Sequence, residues 1–228
     1  MGKRLEAVTK TVDTLKQYPL NEAAGLVKKG ATAKFNETIE LHIRLGIDPK
    51  QSDQQVRGTV NLPHGTGRSK RVAVVCKGEK QKDAQTAGAD VVGAEDLIER
   101  MVQGFMDFDV MVATPDMMKD VAKLGKVLGP RGLMPNPKSG TVTFDIGRTV
   151  KELKAGRVEY KVDDFGILHM GIGKAAFTEA QIAENVKTVM EIVIKAKPAA
   201  SKGVYLRSVT LSSTMGPGIK LDPSQKFS

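Results

Sequence analysis

Five stretches decide how the middle of this chain folds: Val72-Ala73-Val74-Val75-Cys76, Glu79 to Ala87, Asp90-Val91-Val92-Gly93, Glu95 to Gln103, and Asp109-Val110-Met111-Val112-Ala113. The first, third and last are short apolar runs, and the other two are longer and mixed. Buried parallel strands alternating with helices read this way. Within Glu95 to Gln103, Leu97, Ile98, Met101 and Val102 recur at three- and four-residue spacing, one apolar stripe to lay on a sheet. The expectation is a three-layer α/β unit.

Outward from this block the texture changes. Thr38 to Leu45 alternates strictly, with Ile39, Leu41, Ile43 and Leu45 on one face and Thr38, Glu40, His42 and Arg44 on the other, which predicts a half-buried strand. Thr178-Glu179-Ala180-Gln181 has the capping-box pattern, and Ile182, Val186, Val189, Met190 and Val193 then repeat at helical spacing up to Lys197-Pro198. Tyr205 to Thr214 is β-branched and hydroxyl-rich and runs into the turn signal Met215-Gly216-Pro217. Strands with one polar face and a helix over the other describe an α+β domain built from both ends of the chain. Pro63-His64-Gly65-Thr66-Gly67 and Ala155-Gly156-Arg157 read as linkers. Residues 68–158 are therefore expected to be inserted into a domain made of residues 1–67 and 159–228, with the two crossings forming a hinge. A single continuous α/β domain with decorated ends is the alternative.

Of 228 residues, 35 are Lys or Arg and 26 are Asp or Glu, a net charge of +9. An excess of that size usually meets a polyanion, and nucleic acid leads. The three segments carry +3, +4 and +2 in chain order, and residues 119–157 alone carry +6. No window approaches eighteen consecutive apolar residues. The start, Met1-Gly2-Lys3-Arg4-Leu5-Glu6, has neither an apolar signal core nor the Ser or Thr that myristoylation wants at the sixth position. The expectation is a soluble, cytoplasmic chain with no membrane partner.

Catalytic and metal chemistry find little support. Cys76 is the only cysteine and lies in an apolar run, so a buried thiol is favoured over a nucleophile, and no intrachain disulfide or thiolate zinc cluster can form. His42, His64 and His169 stand in unrelated contexts without a metal-binding motif. Asp164-Phe165-Gly166 lacks every other element of a kinase and reads as a turn. Gly171-Ile172-Gly173-Lys174 and Cys76-Lys77-Gly78-Glu79 lack the further glycines of a phosphate-cradling loop. No metal and no cofactor is expected; a nucleotide-dependent enzyme built on the α/β insert and a general basic interaction module remain as rivals.

The stretch from Leu128 to Val142, Leu-Gly-Pro-Arg-Gly-Leu-Met-Pro-Asn-Pro-Lys-Ser-Gly-Thr-Val, is a Gly- and Pro-rich loop that can be stiff without a helix or ladder. It would present Arg131 and Lys138 as a secondary basic face, or serve only as a solvated connector. Five further runs stand beside it: Lys34-Phe35-Asn36-Glu37-Thr38, Gly46-Ile47-Asp48-Pro49 through Ser52-Asp53-Gln54, Val56 through Gly65, Met106-Asp107-Phe108-Asp109, and Ser213-Thr214-Met215-Gly216-Pro217. With these motifs the chain, from about Arg4 to Lys220, resembles the family of the bacterial large-subunit ribosomal protein L-one, the universal ribosomal stalk protein.

The resemblance implies a split first domain and an inserted Rossmann-like second one. It further implies binding to large-subunit ribosomal RNA in the mobile stalk at the exit site, help in releasing deacylated tRNA there, and repression of translation through the protein's own operon messenger RNA. It implies no catalysis, and a monomer when free. Carried over by motif, the RNA-facing residues are Lys34, Phe35 and Thr38, then Thr214, Met215 and Gly216. His169, Gly171 and Lys174 join them from a loop that departs from the family's usual text after the histidine. The residue types suit RNA, which is read through shape and 2′-hydroxyls. Thr38, Ser208, Thr210, Ser212 and Thr214 are short donors and acceptors that a strand would hold at fixed spacing. Phe35 is either a stacking partner or a core residue, Met215 an adaptable apolar contact and Gly216 a place for close backbone approach. Lys34, Arg44, Lys174 and Arg207 would meet phosphates.

Overall fold

A computed structural model describes residues 3–13 and 15–225, so the Met1-Gly2 start lies outside the described residues. In chain order the elements are α1 (Lys3–Thr9), α2 (Leu20–Gly30), β1 (Thr38–Leu45), β2 (Arg57–Asn61), β3 (Val72–Val75), α3 (Lys80–Thr86), β4 (Val91–Gly93), α4 (Glu95–Val102), β5 (Val110–Ala113), α5 (Met118–Ala122), α6 (Gly125–Leu128), α7 (Ile146–Ala155), β6 (Arg157–Lys161), β7 (Ile167–Lys174), α8 (Glu179–Lys195), β8 (Leu206–Ser213) and β9 (Ile219–Leu221). The chain divides into two compact units, Met1–Gly67 with Val158–Ser228, and Arg68–Arg157.

The first unit is built on a four-stranded sheet in the order β7-β1-β8-β9, with antiparallel neighbours. β1 lies between β7 and β8, and its burial alternates residue by residue as its sequence does. Ile39, Leu41, Ile43 and Leu45, with Leu168, Met170, Ile172, Val209 and Leu211 from the neighbouring strands, form the inner face. Over them lie α2, through Leu20, Ala23, Ala24 and Val27, and α8, through Ile182, Val186, Val189, Met190 and Val193. The start of α8 is the predicted capping box: Thr178 Oγ1 accepts the Gln181 amide while the Gln181 side chain accepts the Thr178 amide. Asn185, buried in α8, donates to the carbonyls of Ile172 (2.7 Å) and Gly65 (3.1 Å) and accepts the His64 amide at 3.2 Å. One buried amide side chain thus satisfies three backbone groups and ties the Pro63–Gly67 stretch to the helix. β2 and β6 form a separate two-stranded ribbon.

The second unit is a parallel three-stranded sheet in the order β4-β3-β5, with Val72 opposite Val110 and Val75 opposite both Gly93 and Ala113. Every residue of β3 is buried because both faces are covered. On one side Ala84 of α3 and Ile146, Val150 and Leu153 of α7 pack on Val72, Val74 and Val112. On the other, Leu97, Ile98 and Met101 of α4, Val121 of α5 and Leu128 of α6 pack on Ala73, Val75 and Met111.

Details differ from the sequence reading. Val102 is 67% exposed at the end of α4 and not part of its buried stripe. Leu128–Val142 is not free of regular structure: Leu128 closes α6, Pro137–Ser139 is a 3₁₀ turn, and Val142 bridges to Ala113 of β5. Ala155-Gly156-Arg157 is no linker either. Ala155 ends α7, Gly156 takes φ 115° as its left-handed cap, and Arg157 opens β6 with its guanidinium on Glu152 and the Ser139 carbonyl. The second compact unit spans Arg68–Arg157.

Candidate nucleic-acid interface

The alternation that buries one face of β1 leaves Thr38, Glu40, His42 and Arg44 on the other. The register sets Glu40 opposite Ser212, His42 opposite Thr210 and Arg44 opposite Ser208 on β8, and His42 opposite His169 and Glu40 opposite Gly171 on β7. Ser208, Thr210 and Ser212 are half-buried and share this open face, as do the exposed His169 and half-buried Gly171. A bulge between Ile39 and Glu40 carries Lys174 to a place opposite Thr38, where its Nζ donates to Thr38 Oγ1 at 2.7 Å.

At that end of the sheet, segments from the two chain ends meet. The Thr38 amide donates to Thr214 Oγ1 (2.9 Å), the Thr214 amide donates to the Thr38 carbonyl (3.0 Å), and the Thr214 hydroxyl is 3.2 Å from the same carbonyl. Glu37, with no exposed surface, accepts the Ala33 amide at 2.8 Å and the Met215 amide at 2.9 Å, one on each carboxylate oxygen. Arg4 stands 3.8 Å from the same carboxylate and donates to the Met215 carbonyl at 3.2 Å. Burial alone would raise the Glu37 pKa, but the two amides and the Arg4 charge outweigh it and hold the carboxyl below the usual range. Gly216 closes the turn with its amide on the Ser213 carbonyl, and a Cβ there would collide with the Ser213 hydroxyl.

What this corner leaves to solvent is Lys34, Phe35 (55% exposed), Thr214 and Met215 (51% exposed). Phe35 is therefore not a core residue. The Thr38, Thr214 and Lys174 side chains are already joined within the protein, so they shape the corner as much as they offer groups outward. Lys34, Phe35, Thr38, Lys174, Thr214, Met215 and Gly216 are brought together; His169, Gly171, Ser208, Thr210 and Ser212 lie along the same sheet.

Four polar side chains cross the middle of the open face in line. Ser212 Oγ lies 3.1 Å from His42 Nε2, His42 Nδ1 lies 2.8 Å from His169 Nδ1, and His169 Nε2 lies 3.3 Å from Asp163 Oδ2. Burial, and next the neighbouring His169, push the His42 pKa down, with Glu40 opposing. In the second unit Arg131 and Lys138 are exposed on the 128–142 stretch. Asn136 organises that stretch by accepting the Lys138 amide at 2.8 Å. Lys126, Arg131, Lys138 and Lys151 form no ion pair among the described residues, whereas Lys123, Arg148, Lys154 and Arg157 do.

Sequence reasoning missed Glu37, Arg4 and His42. Glu37 stood inside a quoted motif, but nothing in its spacing distinguishes a buried carboxylate from a solvated one. Elsewhere, Cys76 is fully buried just after β3 and burial pushes its thiol pKa up, away from the nucleophilic thiolate.

A sheet with one face packed under helices and the other open, hydroxyl-bearing and edged by a cationic, aromatic corner defines a mixed α/β protein whose open face carries no covering helix among the described residues. A family model described as the Ribosomal protein L1p/L10e family matches residues 27–217, most of the chain. The chain belongs to that family and is a large-subunit ribosomal protein that binds ribosomal RNA. The family is one of structural, non-enzymatic proteins associated with the ribosome. Among the described residues no helix is long and apolar enough to cross a membrane.

Proposed function

We propose that the unit formed by both chain ends grips large-subunit ribosomal RNA with the open sheet face and the Lys34–Phe35, Thr214–Gly216 corner, and that the inserted unit adds electrostatic contact. The observation that carries this reading is Glu37. A fully buried carboxylate holding one amide from each segment fixes the two in a single exposed surface before RNA arrives, so little ordering cost remains at binding. Lys34 meets a phosphate, Phe35 stacks on an exposed base or sugar, and Met215 covers an apolar edge. The half-buried hydroxyls of Ser208, Thr210 and Ser212 meet 2′-hydroxyls and phosphates at strand spacing. Arg131 and Lys138 contribute from the insert as sequence-independent cations.

In the cytoplasmic ribosome this grip makes the protein a part of the mobile stalk at the exit site, where the insert assists release of deacylated tRNA. The free protein is a monomer. Repression follows if its own operon messenger RNA carries a similar shape with lower affinity, since free protein then turns to the messenger only once ribosomal RNA is saturated. The test is filter binding of large-subunit RNA fragments against size-matched duplexes across a salt series. Shape readout predicts a preference that survives as salt rises; equal loss for both RNAs would contradict it. A messenger leader fragment in the same assay should bind more weakly than the ribosomal fragment, and the opposite order would remove the repression scheme.

A further inference from the structure

We propose that the His42–His169 pair is a proton site of the RNA face, taking up one proton, and no more, for each RNA bound there. The inference rests on the open face being the RNA surface.

Hydrogen-bond arithmetic across β8, β1, β7 and the β6–β7 turn carries it. A carboxylate only accepts, so His169 Nε2 bears the hydrogen directed at Asp163. With both rings neutral, His42 Nδ1–H donates to His169 Nδ1 and the Ser212 hydroxyl donates to His42 Nε2, and every contact in the line is satisfied. Add one proton and His169 becomes the cation. Its Nδ1–H donates to His42, which switches tautomer and donates from Nε2 to the Ser212 oxygen. Every contact is satisfied again. A second proton would set two N–H groups against each other across 2.8 Å and break the line. The pair therefore has two good states that differ by one proton.

The charged groups facing it set the direction. β1 contributes Glu40, whose carboxylate is 3.8 Å from His42 Nε2, and Arg44; the turn contributes Asp163. β7 contributes Lys174, held on Thr38, and β9 contributes Lys220 opposite Thr210, while the side chains of β8 on this face are uncharged. In the free protein burial, and next the partner ring, push the His42 pKa down. An approaching phosphate backbone favours the charged form of any nearby imidazole, and histidine is the side chain poised to change charge near neutrality. The pair's pKa in the complex then exceeds its free value. Affinity rises as pH falls between the two values and is flat outside them, by at most about tenfold per pH unit for one proton.

The experiment is calorimetric titration of the full chain with a large-subunit RNA fragment, at fixed salt, in buffers of different ionisation enthalpy, from about pH 8 to about pH 6. The expected result is uptake of up to one proton and a matching gain in affinity. Replacing both rings, His42→Gln with His169→Gln in one chain, should abolish both uptake and slope whatever affinity the chain retains, and proton resonances of the imidazole rings in the unaltered chain should shift on RNA binding. His64→Gln should keep the slope, since His64 pairs at 2.5 Å with Glu184 of α8, on the covered side of the sheet. Binding with no proton uptake, uptake clearly above one, or a slope that persists in the double glutamine variant would overturn the inference alone. Absence of binding at every pH would overturn it together with the assignment of the RNA face.

Discussion

Glu37 shows at single-residue scale how a surface site is held from beneath. Its carboxylate joins the amides of Ala33 and Met215, residues more than half the chain apart, through one side chain. In Glu37→Gln the amide nitrogen must face one of these backbone donors, leaving it buried and unpaired at a cost of about 1–3 kcal/mol. Urea unfolding should show this loss at neutral pH. The sign with pH follows from the depressed pKa: the stabilisation is complete above the unfolded value and is lost as pH falls through the folded one, so the gap between wild type and variant should narrow in acid. Gly216→Ala should disturb the same turn by pushing against Ser213, read as weaker RNA binding with little change in unfolding midpoint. Thr214→Val keeps volume but removes the acceptor in an exposed hydrogen bond from the Thr38 amide, so it should weaken binding with only a small loss of stability. Lys34, Phe35 and the Thr214–Gly216 turn were legible as motif text. Glu37 was not, because its role depends on a partner that only the folded chain brings near.

Among the elements, β1 and α8 were legible for plain reasons. β1 is a strand with one face buried and one not, so its period-two text and its burial coincide over all eight residues. α8 carries its own start signal in Thr178 and Gln181; Thr178→Ala should cost about 1 kcal/mol of unfolding free energy, measured against Glu179→Ala, which leaves the box intact. α2 was not read from the sequence. Leu20–Gly30 includes Gly25 and Gly30, which lower helix propensity, and it is held as a helix by burying Leu20, Ala23, Ala24 and Val27 on the sheet. The β2–β6 ribbon was missed because its two strands are about a hundred residues apart in sequence, with the whole second unit between them. The 155–157 stretch looked like a linker because the glycine that caps a helix and the glycine of a flexible joint are the same letter.

For the whole molecule, the division into units predicts a division of labour. A chain in which residues 68–157 are replaced by a short linker keeps Ile39, Leu41, Ile43 and the packing of α2 and α8 intact. It should unfold cooperatively by circular dichroism and retain preference for the ribosomal fragment. It should also show a shallower dependence of affinity on salt, because the cations of the insert no longer displace counterions. The central claim is that a preshaped corner, and not charge, gives recognition. The direct measurement is the ratio of affinities for a large-subunit RNA fragment and a size-matched duplex, in full chains carrying Phe35→Ala or Arg131→Ala with Lys138→Ala. Loss of one stacked ring, about 1–3 kcal/mol, should cut the ratio for Phe35→Ala, while the double variant weakens both RNAs alike and leaves the ratio unchanged. An unchanged ratio in Phe35→Ala together with a collapsed ratio in the double variant would contradict the account.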